Sequence, residues 1–393
     1  MNNLQDKWLA AEMRPAGFDM LRILLALAVI LCHAPAVCYP GIDALFWSGP
    51  WRPLVCSVVP AFFALSGFLV AGSLERNDLL SFVSLRVIRL FPALSAEVLI
   101  SALIIGPWVT TLSLPAYLSN PEFHHYFLNM LGDIHYTLPG VFEGQPGGNY
   151  VNVQLWTVPY ELKCYLLLTL AAAVGLAKRP RILMILTVVG LLALTLVRDL
   201  HVDTLPRIAA HPPGALLVAS FMFGILLYLL RARILYSRWL FLASLVSFAV
   251  LVDFAQTMYL ASLPIAYATV YIGLTNVRLK VFTMTADYSY GLYLYGFPVQ
   301  QFLIWLLPDL RIWYVNFLLS TLIAGLFAMA SWHFLELRVM QRRKVILGFI
   351  QGVRASLVAG ITGLWKSLSH IPLGIGRMKI PDGLSRPKDN IKP

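Results

Sequence analysis

Phe18-Asp19-Met20-Leu21-Arg22-Ile23-Leu24-Leu25-Ala26-Leu27-Ala28-Val29-Ile30-Leu31-Cys32-His33 opens an apolar run that continues to Cys38. About 20 consecutive apolar residues make a helix as long as the hydrocarbon core is thick. The run over 17–38 therefore reads as a membrane-spanning helix with an arginine and a histidine set into it. Similar runs recur near 55–73, 91–111, 154–176, 182–197, 214–230, 239–253, 256–275, 287–307 and 312–337. Of the 393 residues, 59% are hydrophobic and only 12% charged, about half the charge of an ordinary soluble chain. The expectation is an all-α fold, a polytopic membrane helical bundle of about ten transmembrane helices, since helices satisfy their own backbone in lipid.

The net charge of +11 suggests nucleic acid until its placement is considered. With the N-terminus inside, thirteen Lys and Arg fall in the cytoplasmic segments of the bundle. The external ones hold four, namely Arg52, Arg198, Arg207 and Arg311. That is the asymmetry that orients membrane proteins, and it predicts both termini in the cytoplasm and no nucleic-acid partner. The chain divides into a cytoplasmic N-terminal segment (1–16), a membrane domain (17–337) and a basic cytoplasmic tail (338–393). The tail reads as an amphipathic interfacial helix followed by a disordered end. Between Arg89 and Lys163 there is no Lys or Arg, so the long segment 112–153 is expected outside as a binding loop or a disordered cap. Cys32, Cys38, Cys56 and Cys164 have no metal-type spacing. No metal site is expected, and buried thiols are preferred over a Cys38–Cys56 disulfide.

Ionisable groups inside a bilayer are expensive, which makes each one a functional candidate. Arg22 and His33 are eleven residues apart, which brings them to within roughly 20° on one helix face, separated by roughly 16 Å along the axis. Asp19 lies one turn before Arg22 and is placed to orient its guanidinium. Imidazole is the usual general base at neutral pH. Arg86 and Arg89, at i and i+3, share a face at the cytoplasmic mouth, where paired guanidiniums suit phosphate; topology flanking is the bland alternative. Glu161 and Tyr165, at i and i+4, can hydrogen-bond, with Trp156 and Tyr160 beside them as sugar-positioning candidates. Glu97, Asp287 and Glu336 are further acidic positions that structural pairing would explain equally well.

Taken in order, these blocks resemble the acyltransferase-3 family of membrane acyltransferases. The blocks are Phe18–His33, Phe62-Phe63-Ala64-Leu65-Ser66-Gly67-Phe68, Arg86-Val87-Ile88-Arg89-Leu90-Phe91-Pro92, Leu155-Trp156-Thr157-Val158-Pro159-Tyr160-Glu161 on to Tyr165, Asp287-Tyr288-Ser289-Tyr290-Gly291-Leu292-Tyr293-Leu294-Tyr295, and Trp332-His333-Phe334-Leu335-Glu336. The resemblance implies a membrane O-acyltransferase of the bacterial inner membrane. It would move an acyl group, acetyl as first choice, from acyl-CoA to a carbohydrate hydroxyl on exopolysaccharide, O-antigen or a lipid-linked glycan. It implies that Arg22 and His33 are needed for activity and implicates Arg86 and Arg89; the residues' own chemistry adds Glu161 to the expected catalytic set and CoA phosphate binding to Arg86 and Arg89. Acceptor contacts are expected for Trp156, Tyr160 and Tyr165, and orienting roles for Asp19, Ser66 and Glu336. Acetyl-CoA is expected as donor, with no permanently bound cofactor. Many members carry histidine after the position of Tyr295, where this chain has Gly296. A transporter or flippase of a lipid-linked glycan is the alternative reading, and an assembly scaffold the third.

Overall fold

The computed structural model describes residues 3–200, 212–254, 256–275, 286–353 and 356. Arg207, Arg278, Lys280 and the tail from 357 onward lie outside the described residues. Among the described residues every regular element is helical, apart from one isolated bridge between Asn3 and Leu235. Residues Met1–Arg343 form one compact unit and Lys344–Pro393 a second. In the second unit, residues 344–353 are helical, with Val345, Phe349 and Val353 exposed one turn apart.

The first unit begins with α1 (Leu4–Ala10), closed at its start by a reciprocal pair of hydrogen bonds between Asn3 and Asp6. Next come α2 (Ala16–Cys38), α3 (Asp43–Ser48), α4 (Arg52–Arg76) and α5 (Leu79–Ile100). Helix α5 runs through a π-helical turn, Ser101–Ile105, into α6 (Gly106–Val109). The first half of α5 lies ahead of the run expected over 91–111. Asp78 caps it through the amides of Leu80 and Ser81, which places Arg86 and Arg89 within the helix rather than on its flank.

Segment 112–153 is a folded cap. It contains α7 (Leu114–Ser119), α8 (Pro121–Tyr126) and a 3₁₀ turn, Phe127–Leu131, and it buries Tyr117, Tyr126, Leu138, Val141, Phe142 and Val151. Gln301 ties it down by donating to the carbonyls of Gly148 and Tyr150, each at 2.9 Å.

A second 3₁₀ turn, Val153–Thr157, leads into α9 (Val158–Ala173). It is followed by α10 (Pro180–Leu200), α11 (Gly214–Leu229), α12 (Arg238–Asp253) and α13 (Ser262–Gly273). The unit closes with α14 (Ser289–Leu306), α15 (Trp313–Ser331), a second π turn (Trp332–Glu336) and α16 (Leu337–Gln341).

Five helical stretches are long and apolar enough to cross a membrane: Ala16–Cys38, Arg52–Arg76, Leu79–Val109, Pro180–Val197 and Trp313–Gln341. The other five expected spans are also occupied by helix, but by shorter or more polar pieces. At 16 residues, α11 reaches about 24 Å, short of a hydrocarbon core of about 30 Å. It is apolar all round and buried almost throughout, the pattern of a central helix. Gly67 of α4 and Gly224 of α11 let the two backbones meet: a Cβ on Gly67 would strike the carbonyl of Phe221, and one on Gly224 that of Ala64. Helix α10 is the opposite case. Apart from Leu183 and Leu191 its apolar side chains are largely exposed, as suits a peripheral helix in lipid. All four cysteines are free thiols.

Candidate active site

A cavity of ≈ 660 Å³ enters the bundle at its N-terminal end, within the usual size range of small-molecule sites. Exposed Glu12, Met13, Arg14, Asp19 and Arg76 form its mouth. Glu12 and Met13 both adopt left-handed backbone conformations (φ 52° and 59°), uncommon for residues with a Cβ. Deeper, α2 contributes Arg22, α4 contributes Phe62, Ser66 and Ser73, and α5 contributes Arg86 and Arg89. Helix α9 adds Glu161 and Tyr165, and the start of α14 adds Tyr290 and Tyr293.

The central feature is a chain of four charges drawn from parts of the sequence far apart. Arg22 donates to Asp287 at 3.1 Å, and Arg89 donates to the same carboxylate oxygen at 2.7 Å. The other guanidinium nitrogen of Arg89 donates to Glu336 at 2.7 Å. Ser289 donates to the second oxygen of Asp287 through both its hydroxyl and its amide, and Ser331 donates to the second oxygen of Glu336 at 3.1 Å. Arg89 also lies over the rings of Tyr290 and Trp332, at 5.7 and 5.5 Å. The π turn of Trp332–Glu336 shifts the helical register locally and leaves Glu336 facing inward. Such turns recur at functional sites. Asp19 stands 3.7 Å from Arg22.

Arg86 differs from its neighbour one turn away. No carboxylate lies within ion-pair distance of it among the described residues, its NH2 reaches only Ser73 at 3.4 Å, and its buried Nε has no partner. Of the two arginines in the third block, Arg89 is thus committed to the protein, while Arg86 faces the cavity with most of its donors unused. Tyr165 donates to Glu161 across one turn of α9 at 2.5 Å, the pairing expected from their spacing.

At its inner end the cavity meets Phe62, Thr157 and Tyr293. The Phe62 and Tyr293 rings meet edge to face, and the Tyr293 and Thr157 hydroxyls are 2.7 Å apart. His33 does not line the cavity. Its ring packs edge-on against Phe297, with centroids 5.3 Å apart, so Arg22 and His33 share a helix but not a chamber. Trp156 and Tyr160 pack against each other at 6.0 Å and stay outside the lining, and Tyr160 also carries Lys163 over its ring. At Gly296 a Cβ would meet the Ile30 side chain at 2.7 Å, so Ile30 fills the space beside that backbone. Spacing alone missed Asp287 as the hub of the ion chain and missed Thr157 and Tyr293 as the inner wall. Tyr293 sits in a quoted block, and its position one turn after Tyr290 was the available signal. Among the described residues no cluster of His, Cys, Asp or Glu could hold a metal ion.

A family model described as an acyltransferase domain matches residues 16–335. An "O-acetyl transferase" of Shigella phage Sf6 is 26% identical over 340 residues, covering 83% of this chain and 96% of that one. No solved structure matches. A match running from the start of α2 to the second π turn takes in the cavity lining except Trp8, Glu12, Met13, Arg14 and Pro15, and the chain belongs to the acyltransferase-3 family of membrane acyltransferases.

Proposed function

We propose that this chain is an inner-membrane O-acetyltransferase that moves acetyl from acetyl-CoA to a hydroxyl of an exported or surface carbohydrate. The observation that carries the proposal is the cavity itself. It carries Arg14 and Arg76 at a mouth of mixed charge with Glu12 and Asp19, holds the uncommitted Arg86 farther in, and includes aromatic and hydroxyl side chains in Phe62, Thr157 and Tyr293. A phosphate-rich head with a long thioester arm matches that arrangement, because guanidinium binds phosphate with strong charge-assisted hydrogen bonds. The asymmetric distribution of Lys and Arg supports a mouth on the cytoplasmic side, where acyl-CoA is available. The phage relative, named for O-acetyl transfer, supports acetyl as the group and oxygen as its destination.

On this reading Arg86 holds the donor phosphates, with Arg14 and Arg76 guiding entry, while Arg22 and Arg89 shape the chamber through Asp287 and Glu336. The thioester extends past Glu161 and Tyr165 towards the Thr157–Tyr293 wall. His33 lies beyond that wall, on the side from which an external acceptor arrives, and acts as general base or transient acyl carrier. The test is transfer of label from radiolabelled acetyl-CoA to glycan in membranes carrying wild type or His33→Ala at equal expression. Label with wild type alone is the expected result. Equal label in both would remove His33 from the chemistry. An absence of both labelling and acetyl-CoA binding in wild type would favour a glycan transporter.

A further inference from the structure

Gln154 lies directly behind the cavity's inner wall and is almost fully buried, at 1% exposure. Its carbonyl accepts from the Tyr293 hydroxyl at 2.9 Å and from the Thr157 hydroxyl at 3.3 Å. Both of those side chains line the cavity, so the Gln154 backbone anchors the wall from behind. Its side-chain amide reaches α14 at Gly296. Nε2 is 3.7 Å from where a Cβ on Gly296 would stand, and that same point is 2.7 Å from the Ile30 side chain. His33 is the next residue along that face of α2, one turn beyond Ile30. It packs on Phe297, the residue after Gly296. The Gln154 amide therefore occupies the ground between the donor cavity and the neighbourhood of His33.

Neither Nε2 nor Oε1 of Gln154 has a hydrogen-bond partner among the described residues. Comparison with the other buried carboxamides makes this informative. Asn129, Asn152, Gln300, Gln301 and Asn316 each donate their amide N–H to a backbone carbonyl, at 2.8 to 3.1 Å. The fold elsewhere satisfies its buried amide donors, as an apolar interior requires. Among the described residues Gln154 is the exception, and its amide lies beside Gly296, the residue before the Phe297 on which His33 packs.

We infer that the Gln154 side chain is an oxyanion donor for the transferred acyl group, its Nε2–H hydrogen-bonding the acyl carbonyl oxygen during transfer. This rests on the acyl-transfer reading above and adds a residue to it. When the acceptor oxygen attacks the thioester carbon, a C–O bond forms and the carbonyl oxygen takes up negative charge, which Nε2–H stabilises. As the carbonyl re-forms, the C–S bond breaks. The acceptor's hydroxyl proton passes through His33 to the departing CoA thiolate. A preplaced donor in a water-poor site costs nothing to reorganise at the moment charge develops. Passage of the acyl group displaces the Thr157–Tyr293 hydroxyl pair and brings its carbonyl to the amide.

The test uses the full-length protein in nanodiscs, as Gln154→Leu and as Gln154→Met, two apolar side chains of similar volume but different shape. Three quantities are read: kcat for transfer from acetyl-CoA, the Kd for CoA, and Tm. The expected outcome is a fall in kcat of about 10²- to 10³-fold, the usual effect of removing one oxyanion donor. Kd should stay within twofold and Tm should hold or rise, because an unsatisfied amide has been replaced by an apolar group. A kcat within threefold of wild type in either variant would overturn the inference and leave Gln154 as a packing residue or a holder of water. Lowered Tm with weakened CoA binding in both variants would also overturn it, since that is the signature of a structural role. A wild type that binds CoA but transfers nothing would instead refute the acyl-transfer reading itself, and the inference with it.

Discussion

Arg86 and Arg89 differ by one helical turn, yet their surroundings predict opposite consequences when each is changed to Gln. Arg89 makes two ion pairs at 2.7 Å, one to Glu336, whose side chain is only 3% exposed, and one to Asp287. Removing one partner of a buried pair leaves the other charge uncompensated, which costs about 3–5 kcal/mol. Arg89→Gln should therefore lose stability of that order and fall in Tm by several degrees, whether or not CoA is present. Among the described residues Arg86 has one long hydrogen bond to Ser73, a distant contact over the Phe82 ring at 5.9 Å and no carboxylate partner, so Arg86→Gln should change stability by less than about 1 kcal/mol. If the unused guanidinium is there for the donor's phosphates, that variant loses one or two charge-assisted hydrogen bonds worth about 1.5–3 kcal/mol in binding. This corresponds to CoA affinity weaker by about 10- to 150-fold. The assay is parallel: thermal unfolding of the purified protein, and CoA binding by calorimetry in nanodiscs at fixed ionic strength. If Arg86→Gln bound CoA like wild type, or if both variants lost equal stability, the division into a committed and an uncommitted arginine would be wrong.

The contact between α4 and α11 leaves no space for a side chain at Gly224, because a Cβ there would strike the Ala64 carbonyl. Gly224→Ala should cost about 1–3 kcal/mol or more through overpacking, whereas Gly190→Ala on peripheral α10, where a Cβ meets nothing, should gain about 0.5–1 kcal/mol; Tm of the two variants measured side by side checks both signs. Gln301→Leu removes both hydrogen bonds that hold the cap's Gly148 and Tyr150 carbonyls. It should raise amide hydrogen exchange over residues 140–152 while leaving the α4–α11 contact protected. Unchanged exchange in the cap would show that its apolar packing alone holds it.

The helices were legible wherever apolar residues ran unbroken, because bilayer thickness imposes a length that composition records directly. Helix α5 was half hidden because Ser81, Ser84, Arg86 and Arg89 interrupt its apolar pattern. These residues face the cavity or bond along the helix, as Ser84 does to Leu80, and hydropathy cannot distinguish such a face from a loop. The cap over 112–153 was unreadable for a different reason. Its short helices depend on side chains such as Tyr117, which reaches the Ala102 carbonyl, and on the Gln301 tether, 151 residues from Tyr150 in sequence. Within the site, the pairing of Glu161 with Tyr165 followed from i, i+4 spacing. The hub at Asp287 did not, since its partners Arg22 and Arg89 are 265 and 198 residues distant. The angular register of Arg22 and His33 was calculable, but register within one helix does not say which neighbouring side chains stand around each residue: Arg22 lines the cavity, whereas His33 packs on Phe297 outside the lining.

Polar groups in an apolar bundle fall into two kinds, and the difference assigns roles that residue type alone cannot. Arg22, Arg89, Asp287 and Glu336 satisfy one another and fasten α2, α5, α14 and the turn after α15 around the cavity. Their removal would be felt first as lost structure. Among the described residues, Arg86 in the cavity and Gln154 behind its wall are left with unused donors. An unsatisfied donor in a low-dielectric interior is a standing cost to folding, and packing alone gives no reason for two of them to lie along one path. A ligand that supplies the missing acceptors does give one: phosphate oxygens at Arg86 and an acyl carbonyl at Gln154 would remove both costs together. On the proposed reading, the direction from the mouth through Arg86 to Gln154 and on towards His33 then becomes the direction in which an acyl group travels.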